Sequence, residues 1–380
     1  MKVLNICIKS PFSEGFNYQD NLLPEYQHIL GHDVTILTGT ISRDKQGKFI
    51  DVPPVKKTLD NGVHLIRIES GGKLRRFLGY YPRIERILNE ISPDLIFIHS
   101  LCTFVPIQAV SYKKKHRNVI LVADNHQDYL NSKITGFPFR QTMMLWRYMW
   151  KRLIPHFSHI YGTTSWRTEF AIKVYGIPRE KADTLVMGVD SARLPQNKDA
   201  IREKIRSDLG VLKNNFLFIT GGKISTRFHR MEAIRAFSEF ASSNSRLLVF
   251  GSVEDSLKNE FKELLQSDKR IIYIGFVDSK EINRYFYASD FGLFPGAHSV
   301  LWEEAIGCAL PCLFSKYEKN DHMQVCGNCL QIEQNATPTA IAEVINKVET
   351  QEDLYKEMKR NADKAAPLFS YYEIAKKSIR

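Results

Sequence analysis

Glu303 and Glu304 stand side by side within Phe291 to Pro311, FGLFPGAHSVLWEEAIGCALP, where a short apolar run meets a Pro-Gly turn and then a helix opened by two acids. Backbone N–H groups at a helix start point outward unpaired and suit a phosphate, while a carboxylate one turn in can accept hydrogen bonds from sugar hydroxyls. The alternative is that both acids merely complement the positive end of the helix. A second candidate anion site is Gly221-Gly222-Lys223 with Arg227 and Arg230 close behind. The glycines allow close backbone approach and Lys223 can reach an anion, although a solvated basic loop would read the same way. His126, in ADNHQDY, falls just past an apolar run that reads as a buried strand. Gly15 sits in the loop after the first such run, where ligands dock in open α/β sheets. A histidine bonded within its own loop and a simple turn glycine are the alternatives.

The elements that must position these residues alternate strand and helix. Lys2 to Ile8, DVTILTG, VHLIRIE, DLIFIHS and VILVADNH read as strands of a parallel sheet covered on both faces. Helices are expected near Asn21, over Arg75 to Ile91 and over Thr103 to Lys115. SARLPQNKDAIREKIRSDLG reads as a linker and entry helix, with a boundary near Pro195. A second series follows in FLFITGG, RLLVFGS, IIYIGFV, FGLFPG and PCLFS, with helices near Met231–Ala241, Ser256–Leu265, Ser279–Ala288 and from Trp302. Both halves are therefore expected to be doubly wound α/β.

The chain has 380 residues and a formal net charge of +11. Roughly 27 basic against 17 acidic residues precede Pro195, so the excess lies in the first half, which should meet something anionic. Phe139 to Phe157, FRQTMMLWRYMWKRLIPHF, repeats Met143, Trp146, Met149, Trp150, Leu153 and Phe157 at helical spacing among Arg140, Arg147, Lys151 and Arg152. A core-packed helix is the default, and Leu74 to Leu88 has the same character. Together with KKKHR at Lys113 these stretches could instead form a basic, aromatic surface for an anionic lipid or a lipid-linked acceptor. Nothing resembles a nucleic-acid-binding signature, so no nucleic acid is expected.

The six cysteines are scattered and read as free, buried thiols; the pairs Cys308/Cys312 and Cys326/Cys329 are too irregular for a zinc motif. MKVLNICIKSP is too short and strand-like for a secretory leader, and no apolar run is long enough to span a bilayer. The expectation is a cytoplasmic protein, with peripheral attachment to the inner membrane face as an option.

The succession GFNYQDNLLPEYQHILGHDVTIL, VADNHQDY, TLVMGVD, ITGGKI with EAIRAF, IGFVDSKEINRYFYASD and EEAIGCALP resembles family four of the retaining glycosyltransferases. The resemblance implies an α/β GT-B fold of two Rossmann-like, doubly wound domains facing a cleft. Residues 1–195, with a returning helix at about 370–380, would hold the acceptor; residues 196–369 would hold a nucleotide-sugar donor, expected to be a UDP-sugar. It implies metal-independent chemistry with no cofactor, a saccharide or lipid-linked acceptor, and a role in surface polysaccharide such as lipopolysaccharide or capsule.

Residue by residue, the resemblance makes Glu304 the second carboxylate of the family's Glu, seven residues, Glu pattern, on the donor ribose. The first carboxylate would fall at position 296, which is Gly296, so His298 or Glu303 becomes its candidate substitute. Lys223 takes the place of the arginine that neutralises the diphosphate. The family's next lysine aligns with Phe228, which leaves its role to Arg227 or Arg230. Ser299, Val300 and Leu301 would cradle the distal phosphate, with Gly222 and Gly15 close to the donor and His126 near the transferred sugar. His126, Lys223 and Arg227 are thus the catalytic candidates. A GT-B nucleotide-sugar epimerase and a non-catalytic nucleotide-sugar-binding partner, the latter favoured by Gly296, are the rival readings.

Overall fold

The computed structural model describes residues 1–380 apart from 10–11, 45–47, 130, 133–135, 279 and 318–320. The chain divides into two compact units, Met1–Val186 with Tyr371–Arg380, and Met187–Ser370. The first unit ends before Pro195 because the segment from Met187 already pairs with the second: the Val189 N–H donates to the Phe369 carbonyl at 2.8 Å.

In the first unit the strands are β1 (Lys2–Cys7), β2 (Asp33–Gly39), β3 (Ile41–Arg43), β4 (Phe49–Asp51), β5 (Val55–Thr58), β6 (His64–Ile68), β7 (Leu95–His99), β8 (Ile120–Asn125), β9 (His159–Gly162) and β10 (Ala182–Thr184). Eight form one sheet in the order β10-β9-β8-β7-β1-β2-β6-β5, and β3 pairs with β4 as a hairpin. All neighbours in the large sheet are parallel except β5 on β6. That edge strand, VKKT, carries two lysines, a pattern that discourages further pairing. β1 and β7 are apolar almost throughout because both faces are covered. Leu4 and Ile6 pack with Ile96, Ile98 and Trp150, whereas Val3 and Cys7 pack with Leu22, Tyr26, Tyr371 and Ile374.

The second unit contains β11 (Phe216–Ile224), β12 (Ser245–Val253), β13 (Ile271–Tyr273), β14 (Phe291–Phe294), β15 (Cys312–Ser315) and β16 (Cys329–Ile332) in the order β13-β12-β11-β14-β15-β16, all parallel. The order reverses between β11 and β14, and in the first unit between β1 and β7. Such switch points open a crevice at the carboxyl ends of the strands, where ligands bind.

Several elements differ from the sequence reading. The helix expected over Arg75 to Ile91 is two helices, Lys73–Leu78 and Ile84–Ile91. Between them Gly79 adopts φ +65° and its carbonyl accepts the Thr103 hydroxyl at 3.0 Å, which turns the chain before Pro82. β11 runs two residues beyond Gly222, so Gly221, Gly222 and Lys223 lie within the strand and not after it. The IIYIGFV strand stops at Tyr273, ahead of Gly275 at φ +74°.

The helix Gly136–Leu153 buries Met143, Trp150 and Leu153, so the periodic residues form its core face. Met144, Leu145 and Tyr148 are 69, 59 and 61% exposed beside the exposed Arg140, Arg147, Lys151 and Arg152. Among the described residues no helix is long and apolar enough to cross a membrane. The cysteines are free thiols; Cys7, Cys308, Cys312 and Cys329 are buried, while Cys326 is exposed.

Candidate functional site

In the second unit both candidate motifs fall at the switch point. β11 carries Gly222 and Lys223, and its neighbour β14 leads into Pro295 and Gly296. The two loops touch: the Ala297 N–H donates to the Arg227 carbonyl at 3.1 Å, and a Cβ on Gly222 would lie 2.8 Å from Leu301 Cδ1. The structure therefore brings together Gly222, Arg227, Gly296 and Leu301.

Gly296 answers the question of the missing first carboxylate. Its φ is +85°, its N–H donates to Ser315 Oγ at 2.7 Å, and a Cβ there would sit 2.5 Å from both the carbonyl carbon and oxygen of Phe228. Position 296 has no room for any side chain, quite apart from its left-handed backbone.

Arg230 holds the two loops from beneath. It is buried, its Nε donates to the Gly221 carbonyl at 3.1 Å, and its Nη1 donates to the Phe228 carbonyl at 3.0 Å and to that of Pro295. Burial pushes its pKa down to about 9, and among the described residues no carboxylate pairs with it. Lys223 and Arg227 are instead exposed and available to an incoming anion. Between the two arginines that sequence left open, Arg230 is spent on carbonyls and Arg227 is not.

The helix Leu301–Gly307 begins without a side-chain cap. The Leu301 N–H donates to Ser299 Oγ at 3.3 Å, whereas those of Ser299 and Val300 have no partner among the described residues. Glu304 has one carboxylate oxygen buried without a hydrogen-bond partner among the described residues. Burial, and then the neighbouring Glu303, raise its pKa to about 8.

Glu303 points elsewhere. It is 0% exposed, and its Oε1 lies 2.8 Å from His298 Nε2 and 3.3 Å from His322 Nε2. Burial resists its charge, but the two imidazoles outweigh burial and hold its carboxyl at about 2. His322 comes from beyond β15 and carried no signal in the sequence, since nothing in the spacing links it to His298 or Glu303.

In the first unit His126 follows β8, with its Nε2 3.1 Å from Asp124 Oδ1. Asp124 Oδ2 lies 3.0 Å from Nδ1 of His99, at the end of β7. Sequence reasoning missed His99, whose buried place at the switch strand is its only mark. From His99 a chain of hydrogen bonds runs inward: Nε2 faces Asn5 Oδ1 at 3.3 Å, Asn5 Nδ2 donates to Gln27 Oε1 at 2.7 Å, and Gln27 Nε2 donates to Ser378 Oγ at 2.9 Å.

The direction of the chain is fixed at its far end. The Ser378 hydroxyl hydrogen goes to the Ala375 carbonyl at 2.7 Å, so its oxygen must accept from Gln27. The amides of Gln27 and Asn5 are then oriented in turn, and an oxygen meets His99 Nε2. Nδ1 meets a carboxylate. Both ring nitrogens therefore carry hydrogen, and His99 is a buried imidazolium. Burial works against that charge, but Cys7 and Asp124 hold the ring's pKa well above that of free histidine. Burial likewise resists the charge on Asp124, and His126 and His99 hold its carboxyl well below the usual carboxylate range. Gly15 lies in the loop after β1 at φ +83° with open space around it, so it serves a turn that other residues rarely adopt.

Comparison with known proteins agrees with this architecture. Residues 18–193 match Glycosyltransferase Family 4, and residues 201–365 match Glycosyl transferases group 1. No curated protein matches significantly in sequence. Among solved structures, a glycosyltransferase from Rickettsia africae superposes with TM-score 0.69 at 16% identity, over 100% of this chain and 96% of that one. Anabaena HepE in complex with UDP gives 0.67 at 15%, over 99% and 98%. WaaG, a glycosyltransferase involved in lipopolysaccharide biosynthesis, gives 0.60 at 18%, over 99% and 98%. At these identities the superpositions speak for the fold, which is GT-B. With two family matches accounting for nearly all of its length, the chain belongs to the family-four, group 1 glycosyltransferases.

Proposed function

We propose that this glycosyltransferase moves a sugar, with retention of configuration, from a UDP-sugar to a saccharide or lipid-linked acceptor in surface-polysaccharide assembly. The observation that carries this reading is the pair of touching loops at the β11/β14 switch point: one carries the exposed Lys223 and Arg227, and the other leads into the helix bearing Glu304, which has a buried oxygen unpartnered among the described residues. Glu304 accepts the ribose hydroxyls. Lys223, Arg227 and the Ser299 and Val300 amides meet the diphosphate. His298 and Glu303 stand behind this surface and fix the loop that forms it.

In this mechanism the bond from the anomeric carbon to the diphosphate oxygen breaks while the acceptor oxygen bonds to the same face. The acceptor proton passes to a departing phosphate oxygen. Charge grows on the diphosphate as it leaves, so aimed cations and N–H groups lower the barrier without a metal on the phosphates. Within the first unit, Asp124 and the His99 imidazolium hold His126 in place. The exposed Met144, Leu145 and Tyr148 among basic residues support attachment to an anionic membrane surface, where a lipid-linked acceptor would be found.

Incubation with UDP-, GDP- and ADP-sugars tests the reading. Transfer to an added acceptor is expected, and absence of both turnover and nucleotide binding with every donor would overturn it. Release of an altered free sugar without acceptor would instead mark an epimerase. Glu304→Ala should weaken UDP binding about 10- to 100-fold, as loss of a buried hydrogen-bonding group does, measured by calorimetry.

A further inference from the structure

Three side chains in the second unit converge on one point behind the candidate donor surface. His298, Glu303 and His322 each offer a ligand atom, and these atoms all lie within 4.8 Å of one another. The two imidazoles reach the same carboxylate oxygen, at 2.8 and 3.3 Å, from a loop before the helix Leu301–Gly307 and from a segment beyond β15. Zinc held by histidine nitrogen and carboxylate oxygen has bonds of about 2.0–2.2 Å, which puts ligand atoms roughly 3.3 Å apart in a tetrahedron. The His322–Glu303 separation of 3.3 Å is already at that value, and the His298–Glu303 separation of 2.8 Å would open by about half an ångström.

A second observation points to a ligand. Glu303 is fully buried, yet its other oxygen, Oε2, has no hydrogen-bond partner among the described residues. A sealed, unsatisfied carboxylate oxygen is costly, and two histidines sharing Oε1 do nothing for it. A cation bound by both carboxylate oxygens, or a water on that cation, would satisfy it.

The surroundings complete a metal-site pattern. Asp321 Oδ1 lies 3.6 Å from His322 Nδ1, and Asp321 is itself fixed by the Met323 N–H at 3.0 Å and Gln331 Nε2 at 3.1 Å. At 3.6 Å Asp321 is a charged neighbour of Nδ1 and not its hydrogen-bond partner; a small turn of the ring on metal binding would close that gap, keep hydrogen on Nδ1 and leave Nε2 to the metal.

We propose that His298, Glu303 and His322 form a site for one divalent transition-metal ion of the zinc class, with Asp321 orienting His322. Nitrogen-rich donors with a single carboxylate select Zn2+, Co2+ or Fe2+ over Mg2+ and Ca2+. The ion clamps the segment after β15 to the loop after β14, and it is separate from the phosphate chemistry proposed for Lys223 and Arg227. The inference does not depend on which donor, or whether any donor, is used.

The test is direct Co2+ titration of the full chain after chelator treatment, read by visible absorption, with Zn2+ competition and Mg2+ as control. One equivalent of Co2+ per chain should give a d–d spectrum that Zn2+ abolishes, and Zn2+ but not Mg2+ should raise the Tm. Glu303→Gln and His322→Ala should lose the spectrum. Asp321→Asn should retain it with about 10- to 100-fold weaker affinity. A wild-type chain that gives neither spectrum nor Zn2+-dependent shift in Tm would overturn the proposal without any variant having to fold. A spectrum that survives both ligand substitutions in folded protein would overturn it as well.

Discussion

Gly296 shows how a single residue can be read in two opposite ways. Against the family pattern it is a lost carboxylate; in the structure it is a left-handed residue pressed on the Phe228 carbonyl, with no space for a Cβ. Restoring the family residue should therefore fail. Gly296→Glu is expected to destabilise the second unit by about 2 kcal/mol or more, from backbone strain and steric conflict together. Urea unfolding would reveal this, and unchanged stability with tighter UDP binding would refute the reading.

His99 makes a second prediction at this scale. The groups facing it are Asn5, Cys7, Asp20, Asp124 and His126. Its folded pKa is raised above the unfolded value of about 6.5, so its stabilisation is complete below that pH and declines as pH rises through the folded pKa. The first unit should lose stability towards alkaline pH, and His99→Gln should flatten that slope in urea midpoints measured across the range. An unaltered slope would mean that His99 is neutral.

Elements differ in how plainly they announce themselves. β1, β7 and β14 were legible because strands covered on both faces are continuously apolar, and the Gly-Gly-Lys and Pro-Gly motifs marked the two ends that matter. β5 was not, since VKKT at a sheet edge has no apolar face to read. β16 and the helices Pro338–Thr350 and Glu352–Ala365 also went unread, lying outside any motif. Of the candidate site, Lys223, Arg227 and Glu304 were marked by their motifs. His322 and His99 were not, because contacts between distant segments leave no local spacing to find. The helix Gly136–Leu153 combines both lessons: its regular apolar period is its core face, and its exposed face carries the irregular set Met144, Leu145 and Tyr148. If that face meets lipid, sedimentation should recover more protein with anionic than with neutral vesicles, and replacing all three residues with Ser should reduce the difference. Equal recovery with both would sink the membrane assignment.

At the scale of the whole molecule, the chain leaves its first unit at Val186 and returns to it at Tyr371. Tyr371, Ile374 and Ala375 are buried in the first unit's core beside Leu22 and Tyr26, and Ser378 ends the hydrogen-bond chain from His99. Deleting residues 371–380 should destabilise the first unit by about 5 kcal/mol, from the apolar area of Tyr371 and Ile374 and the orphaned Gln27 amide. Hydrogen exchange should show the loss in β1 and β2 and leave β11 and β12 protected; uniform loss would mean that the two units unfold as one.

The same return has a consequence for synthesis. A ribosome makes the first unit's sheet before any of the second, yet the residues that close its core and fix the hydrogens on His99 emerge only after the whole of the second unit. The half made first is thus completed last. Throughout translation of some 180 residues it must wait with one flank open, which is where a chaperone, or a misfolding event, would find it.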